Sequence, residues 1–155
     1  MTVLNLAGAE TDSTVESGQY EAEVWEGSLG EVSGNGKLPA GTPRLDVQFK
    51  LTSEGVVNRR VWASYSIAPD GYKNKAILDG MLVNFLAALG YDKTKVMGGK
   101  FDIDLEDLKA RACVVVVTKE QKIRDNVPVE GEFVNNVRSV KKAGTAASKK
   151  APGLI

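Results

Sequence analysis

The chain has 155 residues, 43% of them hydrophobic, which is enough for one domain with a sizeable core. Its 20 Lys and Arg balance 20 Asp and Glu, so its bulk charge predicts neither a nucleic-acid nor a membrane partner. The lack of His and the single Cys, Cys113, exclude Ser/His/Asp and Cys/His catalysis, a Cys/His zinc cluster and an intrachain disulfide.

The first residues, MTVLNLAGAETDS, have no basic segment and only a brief apolar stretch, so no secretory signal is expected. The most apolar long stretch, residues 76–89, is interrupted by Asp79, Gly80 and Asn84 and is shorter than the roughly 20 residues of a membrane helix. We therefore expect a cytoplasmic protein without a membrane span.

Charge is distributed unevenly along the chain. Residues 1–36 carry seven acids and no Lys or Arg, whereas the last residues are basic and include Lys149 and Lys150. The last twelve residues, GTAASKKAPGLI, have too little apolar material to repay the entropy cost of ordering. The sequence therefore predicts a flexible acidic N-terminus over 1–17, a folded domain over 18–143 and a flexible basic tail over 144–155.

Three early segments alternate apolar and polar side chains with the period of a strand that has one buried face. They are residues 18–26, 44–51 and 59–67. Trp25 and Trp62 fall with the polar residues in this alternation, so we expect both indoles on the wet face. The connection SEGVVN between the second and third segments has the Gly and Asn of a hairpin, which predicts an antiparallel pair.

A helical period follows the breaker formed by Pro69, Asp70 and Gly71. From about Asn74 the apolar residues recur on one side of a helix, and Gly90 is suited to its C-terminal cap. The residues predicted on the buried side are Ile77, Leu78, Met81, Leu82, Phe85 and Leu89.

The last third of the chain predicts one short helix and two strands. The short helix runs from Asp104, its N-cap, through Leu108. Residues 112–117 form a β-branched run that is apolar on both faces, as in a strand covered on both sides. Residues 132–141 fit a last strand. Strand, strand, strand, helix, strand, strand is the order of the OB fold, a five-stranded Greek-key barrel with its main helix between strands three and four.

Two long loops are predicted at the rim of this barrel, residues 30–43 and 119–131. In the OB fold these loops border the ligand face. The second carries Lys119, Lys122 and Arg124.

Motifs for phosphate loops and metal sites fail on particular residues. EVSGNGKL has Glu31 and Leu38 where a Walker A motif needs Gly and Ser or Thr. The run DIDLED resembles a calcium loop, yet Asp107 stands where the sixth-position Gly belongs and Cys113 where the twelfth-position Glu belongs. We therefore predict no cofactor, no metal and no catalytic residue.

The polar face of the first three strands is the positive signal. Trp25 and Trp62 share it with the cations Arg44, Lys50 and Arg60. Single-stranded nucleic acid needs aromatic planes for its bases and cations for its phosphates, so this combination indicates a single-strand binder. The acids on the same face oppose that interpretation. A Trp that packs under the helix or in a subunit interface is the alternative.

Several segments of the chain resemble a family of phage-encoded OB-fold single-stranded DNA-binding proteins. They are SGQYEAEVWEGSL, RLDVQFKL, NRRVWASYSI, NFLAALGY, DLEDLKARACVVVV and NNVRSVKKA, which together span most of residues 17–143. The resemblance implies protection of single strands during phage DNA replication or recombination, in the host-cell cytoplasm. Many bacterial and phage single-strand binders end in an acidic tail that recruits partners, whereas the tail of this chain is basic.

We predict a non-enzymatic protein that binds single-stranded DNA without strong sequence preference. The residues predicted to contact DNA are Trp25, Arg44, Lys50, Arg60, Trp62, Tyr72, Lys119, Lys122, Arg124 and Arg138. The alternative is a phage structural or protein-interaction module whose exposed Trp residues form a protein interface, and a minor catalytic role is third. Homo-oligomerisation and binding to replication or recombination proteins stay open.

Overall fold

The structure is a computed structural model that describes residues 2–7, 14–32, 38–99 and 101–144. In chain order its elements are β1 (Gly18–Glu31), β2 (Pro43–Leu51), β3 (Arg60–Ser66), α1 (Lys75–Ala88), α2 (Lys93–Met97), α3 (Leu105–Leu108), β4 (Ala112–Arg124) and β5 (Val127–Lys142). The predicted order of strands, with the main helix between the third and fourth, is confirmed.

The five strands form one antiparallel sheet in the order β3-β2-β1-β4-β5. β1 pairs with both β2 and β4. Its first residues pair with β4, from Gly18 opposite Val117, and its later residues pair with β2, up to Glu31 opposite Pro43. The two ladders overlap only near Ala22, so β1 connects a β1-β2-β3 half to a β1-β4-β5 half.

The sheet is open, so the predicted closure into an OB-fold barrel is not confirmed. β3 and β5 are its two edges, and no ladder joins them within the described residues. Cα atoms of the two strands still approach within 8 Å of each other. β3 has only seven residues, and the α1 side chains Met81, Asn84 and Phe85 line the cleft between the edges. The described residues therefore form a mostly β fold with one strongly curved sheet and three helices.

The core lies between the inner face of the sheet and α1. The alternation predicted for β2 is confirmed, because Leu45, Val47 and Phe49 are fully buried there. Phe85 of α1 contacts Phe49 edge-on, at 6.1 Å between ring centroids, and stacks on Tyr65 of β3 at 4.6 Å. These rings fasten the helix to β2 and β3.

The buried side of α1 differs from the predicted one. Ile77 and Met81 are 65% and 52% exposed, although their spacing placed them in the core. Burial is concentrated in the last turns, at Phe85, Leu86 and Ala88. The helix packs on the sheet through its C-terminal half. The regular apolar spacing also includes its N-terminal half, where Ile77 and Met81 stay exposed.

Each of the two short helices, α2 and α3, begins directly after an Asp that caps its N-terminus. The predicted helix after Asp104 is confirmed, and its carboxylate accepts a hydrogen bond from the Glu106 backbone N–H at 3.0 Å. α2 was not predicted, and Asp92 caps it in the same manner. Leu108 of α3 packs over Gly27, where an added Cβ would lie 3.1 Å from the leucine Cδ1. Gly27 thus allows α3 to approach β1 closely.

The segment between the last two strands is a hairpin and not the predicted loop over 119–131. β4 continues to Arg124, and a two-residue turn leads directly into β5. Asp125 and Asn126 have φ values of 51° and 64°, which suit the type I′ turn that Asn and Asp favour. Charged residues in this segment suggested a loop, whereas the backbone pairing continues across a bulge between Gln121 and Ile123.

The valine run of β4 is covered on both faces near its start, as predicted. Cys113 and Val115 belong to the core, and Val114 on the opposite face is also buried. Cys113 is 1% exposed and burial raises the pKa of its thiol to about 12, which agrees with an inert thiol.

Residues 14–17, directly before β1, dock against the domain, although the sequence assigned residues 1–17 to a flexible N-terminus. Val15 is 5% exposed and packs in the core. Its backbone N–H donates to Asn135 Oδ1 at 2.9 Å, and Asn135 Nδ2 donates to its carbonyl at 2.8 Å. The Asn135 side chain therefore pairs with the Val15 backbone as a neighbouring strand would.

Other predictions about the ends and loops can be placed only in part. Of the predicted flexible tail over 144–155, all but Gly144 lies outside the described residues, including Lys149 and Lys150. The predicted loop over 30–43 corresponds to residues 32–42, of which 33–37 are not described. Among the described residues, none of the helices has the length and apolar character needed to cross a membrane.

Candidate nucleic-acid interface

The candidate site is the outer face of β1, β2 and β3. The antiparallel register aligns its side chains in cross-strand rows. Lys50 lies between Glu23 on β1 and Arg60 on β3, and Gln48 lies between Glu26 and Trp62. Neighbouring strands are about 4.8 Å apart, so a row of three residues spans about 10 Å.

Trp25 enters this face through a β-bulge. Val24 pairs with Phe49 and Glu26 pairs with Gln48, which leaves Trp25 as the extra residue. Its side chain is 44% exposed. Lys50 Nζ lies 4.5 Å from the centroid of the indole, and Arg60 Cζ lies 4.2 Å from it. Trp25 therefore fixes the positions of two cations by cation–π contacts.

Trp62 lies on the same face and is 58% exposed. Its strand neighbour Val61 is 1% exposed, so the alternation that predicted both Trp residues on the wet face is confirmed. In contrast to Trp25, Trp62 has no cation over its ring among the described residues. Its indole is the more accessible aromatic plane of the two.

Carboxylates neutralise part of the positive charge on this face. Arg44 donates to both oxygens of Asp46, at 2.7 and 3.1 Å, and Lys50 lies 3.1 Å from Glu23. Arg60 has no carboxylate within ion-pair distance in the described part of the chain. Arg60 is thus the cation of this face whose charge is least compensated.

Three carboxylates have pKa values below their usual range, and these shifts predict how stability depends on pH. Hydrogen bonds from Arg44, with a smaller contribution from Ser64, lower the pKa of Asp46. Hydrogen bonds led by Tyr91 lower the pKa of Asp107, and those led by Asn136 lower the pKa of Glu120.

Acidification should therefore lower the melting temperature. A carboxylate whose pKa is lower in the folded than in the unfolded state adds stability that is fully present above its unfolded pKa, which is about 4. That stability is lost as the pH falls through the folded pKa. We expect a nearly constant melting temperature from about pH 8 to about pH 5 and a decrease below about pH 4. Thermal melts across this pH range measure the melting temperature at each pH.

Asp46→Asn is the matched variant for this titration, because an amide keeps the shape of the carboxylate and cannot ionise. Its melting temperature should fall less between neutral and acidic pH than that of the wild type. Equal losses in both proteins would show that the Arg44–Asp46 pair adds no stability that depends on ionisation.

The remaining predicted cations lie on the β4–β5 hairpin. Lys119 Nζ is 3.2 Å from Glu16 and 4.8 Å from the Phe133 ring centroid. Arg138 donates to the carboxylate of Glu120 at 2.5 and 2.6 Å. These two cations are held by local contacts.

Lys122 and Arg124 lie near the turn of the hairpin and have no ion pair within the described residues. Tyr72 lies in the turn before α1, is half-buried and belongs to neither group. Trp25, Arg44, Lys50, Arg60 and Trp62 thus share one face, the four hairpin cations lie on β4 and β5, and Tyr72 is separate.

Arg138 and Trp62 both line a cleft of about 480 Å³. It lies between the sheet edges β3 and β5, and α1 contributes Asn84 and Phe85 to its wall. Asn136 of β5 also lines it. Sequence reasoning missed both Asn residues, because nothing in the strand or helix pattern indicates that two sheet edges meet there.

Within the described residues, no group of three or more Cys, Asp or Glu side chains is placed to hold a metal ion. No protein-family model matches this chain, and no curated protein matches it. Its function must therefore be inferred from the arrangement of the described side chains.

Proposed function

We propose that this protein binds single-stranded DNA without catalysis and with little sequence preference. The observation that carries the proposal is the outer face of β1, β2 and β3, where exposed Trp25 and Trp62 lie beside Lys50 and Arg60. Bases stack on aromatic side chains regardless of sequence, and cations bind the phosphates between them.

The two Trp residues have different roles in this proposal. Trp62 offers an open indole plane, and stacking one base on such a plane contributes about 1–3 kcal/mol. Trp25 instead positions the Lys50 ammonium and the Arg60 guanidinium for phosphate groups. The neighbouring acids Glu23 and Glu26 restrict the strand path to the β2 and β3 side of this face.

The strand order supports a finer assignment within the same proposal. The OB fold has its main helix between strands three and four, and its barrel closes between strands three and five. The position of α1 after β3 and the proximity of β3 and β5 support this assignment. The resemblance to phage OB-fold proteins then suggests protection of single strands in DNA replication or recombination.

A protein interface is the second candidate for the same surface. Glu23 and Glu26 beside Trp25 favour it, because carboxylates repel a phosphate backbone and are suited to a basic protein partner. In that case both Trp residues would be anchors at the centre of a protein contact.

Affinity for single strands should fall with salt, because Lys and Arg release counterions when they bind phosphates. Each phosphate contact on a single strand contributes about 0.7 to the log–log slope, so three or four contacts give a slope of about −2 to −3. Fluorescence anisotropy with labelled oligo-dT at several salt concentrations measures this slope.

Arg60→Gln should reduce the magnitude of the slope by about 0.7, since it removes one phosphate contact. Lys93→Ala removes an exposed cation of α2, away from the candidate face, and should leave the slope unchanged. A wild-type affinity that is equal for single strands and duplex, or independent of salt, would favour the protein-interface alternative.

A further inference from the structure

The cleft between β3 and β5 is lined by aromatic and amide side chains. Trp62 lines one edge, and Phe85 and Tyr65, which are stacked on each other, also line it. Asn84, which is exposed, contributes to the lining from α1, and half-buried Asn136 contributes from β5. At about 480 Å³ the cleft falls within the size range of small-molecule sites, roughly 300–1,000 Å³.

The amides in this cleft have free hydrogen-bonding capacity. The Asn84 side chain has no hydrogen-bond partner among the described residues. Asn136 donates its Nδ2 to Glu120 and keeps its Oδ1 as an acceptor facing no described donor. Together they offer three N–H donors and two acceptor oxygens for a planar polar ligand.

The charge around the cleft distinguishes it from the Trp25 side of the candidate face. None of the described residues that line it is acidic, and Arg138 is its one charged residue. Arg138 is paired with Glu120, which lies outside the lining, so a phosphodiester backbone at the opening would meet this ion pair and no lining carboxylate. Trp62 belongs to both the cleft and the outer face, so a strand that follows that face reaches the opening directly.

We propose that the cleft holds one unstacked nucleobase of the bound strand. This rests on the proposed single-strand binding and assigns a subsite to it. Trp62 stacks at the rim, and Asn84 and Asn136 bind the polar edge of the base. A base fits these groups better than an aliphatic side chain does, because an aliphatic group offers no hydrogen bond to the Asn84 amide or to Asn136 Oδ1.

The test fills the cleft from α1 and leaves the residues of the outer face unsubstituted. Asn84→Trp places an indole in the cleft, and Ile77→Trp adds the same side chain to the same helix at an exposed position outside it. Affinities are measured by anisotropy for a dT oligonucleotide and for an oligonucleotide of equal length made of abasic sites. Circular dichroism melts verify that both variants fold.

We expect Asn84→Trp to weaken dT binding about tenfold, as loss of one stacked base would, and to leave abasic binding unchanged. Ile77→Trp should match the wild type on both. In the wild-type protein, the side-chain amide NMR signal of Asn84 should shift with dT and not with the abasic strand.

Two results would overturn the proposal while single-strand binding stands. One is equal dT affinity for Asn84→Trp, Ile77→Trp and wild type, and the other is an Asn84 signal that shifts equally with both strands. The latter would indicate backbone binding alone. A wild-type protein that binds neither strand would overturn the proposed function and this subsite together, and would leave the cleft to an aromatic side chain of a protein partner.

Discussion

Truncating Phe85 to Ala should lower the free energy of unfolding by about 3–5 kcal/mol, the usual cost of removing a buried Phe side chain. Phe85 is 2% exposed and contacts Phe49 on β2 and Tyr65 on β3. Because it is the main aromatic link between α1 and the sheet, its loss leaves a cavity between the two layers. Urea unfolding followed by circular dichroism measures the effect.

Met81→Ala is the control, one helical turn earlier on the same helix. Met81 is 52% exposed, so its truncation should change stability by only about 0.5 kcal/mol. Similar losses for both variants would show that α1 is not fastened through its C-terminal half.

Replacing Trp62 with Ala should weaken single-strand binding by about 1–3 kcal/mol and leave the melting temperature nearly unchanged. The indole is 58% exposed, whereas truncating a buried Trp would cost about 3–5 kcal/mol of stability. Both quantities are measured on the same preparation, by oligo-dT titration and by thermal melting.

Trp25→Ala is the informative comparison, because Lys50 and Arg60 already cover its ring. Its loss should act through the misplaced cations, so we expect a smaller loss of affinity and a change in the salt slope. A Trp62→Ala protein that is fully folded and binds DNA as the wild type does would refute base stacking on that residue.

The sequence was sufficient where one physical requirement determines the outcome. Alternation in residues 44–51 identified β2 and its buried face, and Asp104 identified the start of α3 through its cap. The exposure of Trp25 and Trp62 followed from the alternation of apolar and polar residues along their strands. In each case the determining interaction is local or depends only on which face of a strand is buried.

The sequence was insufficient where tertiary contacts decide. The apolar spacing of α1 continues through Ile77 and Met81, but the length of helix that reaches the sheet depends on the curvature of β1 and β2. The bulge at Trp25 has no local sequence signal, although it brings the indole under Arg60. The cleft of Asn84 and Asn136 requires two strand edges that are distant in sequence to meet.

β1 sets the order in which the fold can assemble. Its later residues pair with β2, which comes next in the chain, but Gly18 must wait for Val117 of β4. The contact between Val15 and Asn135 joins residues 120 positions apart. Such long loops impose a closure entropy that is repaid only when the distant partner arrives, which slows folding. The β1-β2-β3 meander can therefore form while the chain emerges from the ribosome, whereas the sheet is completed only after β4 and β5 have been synthesised.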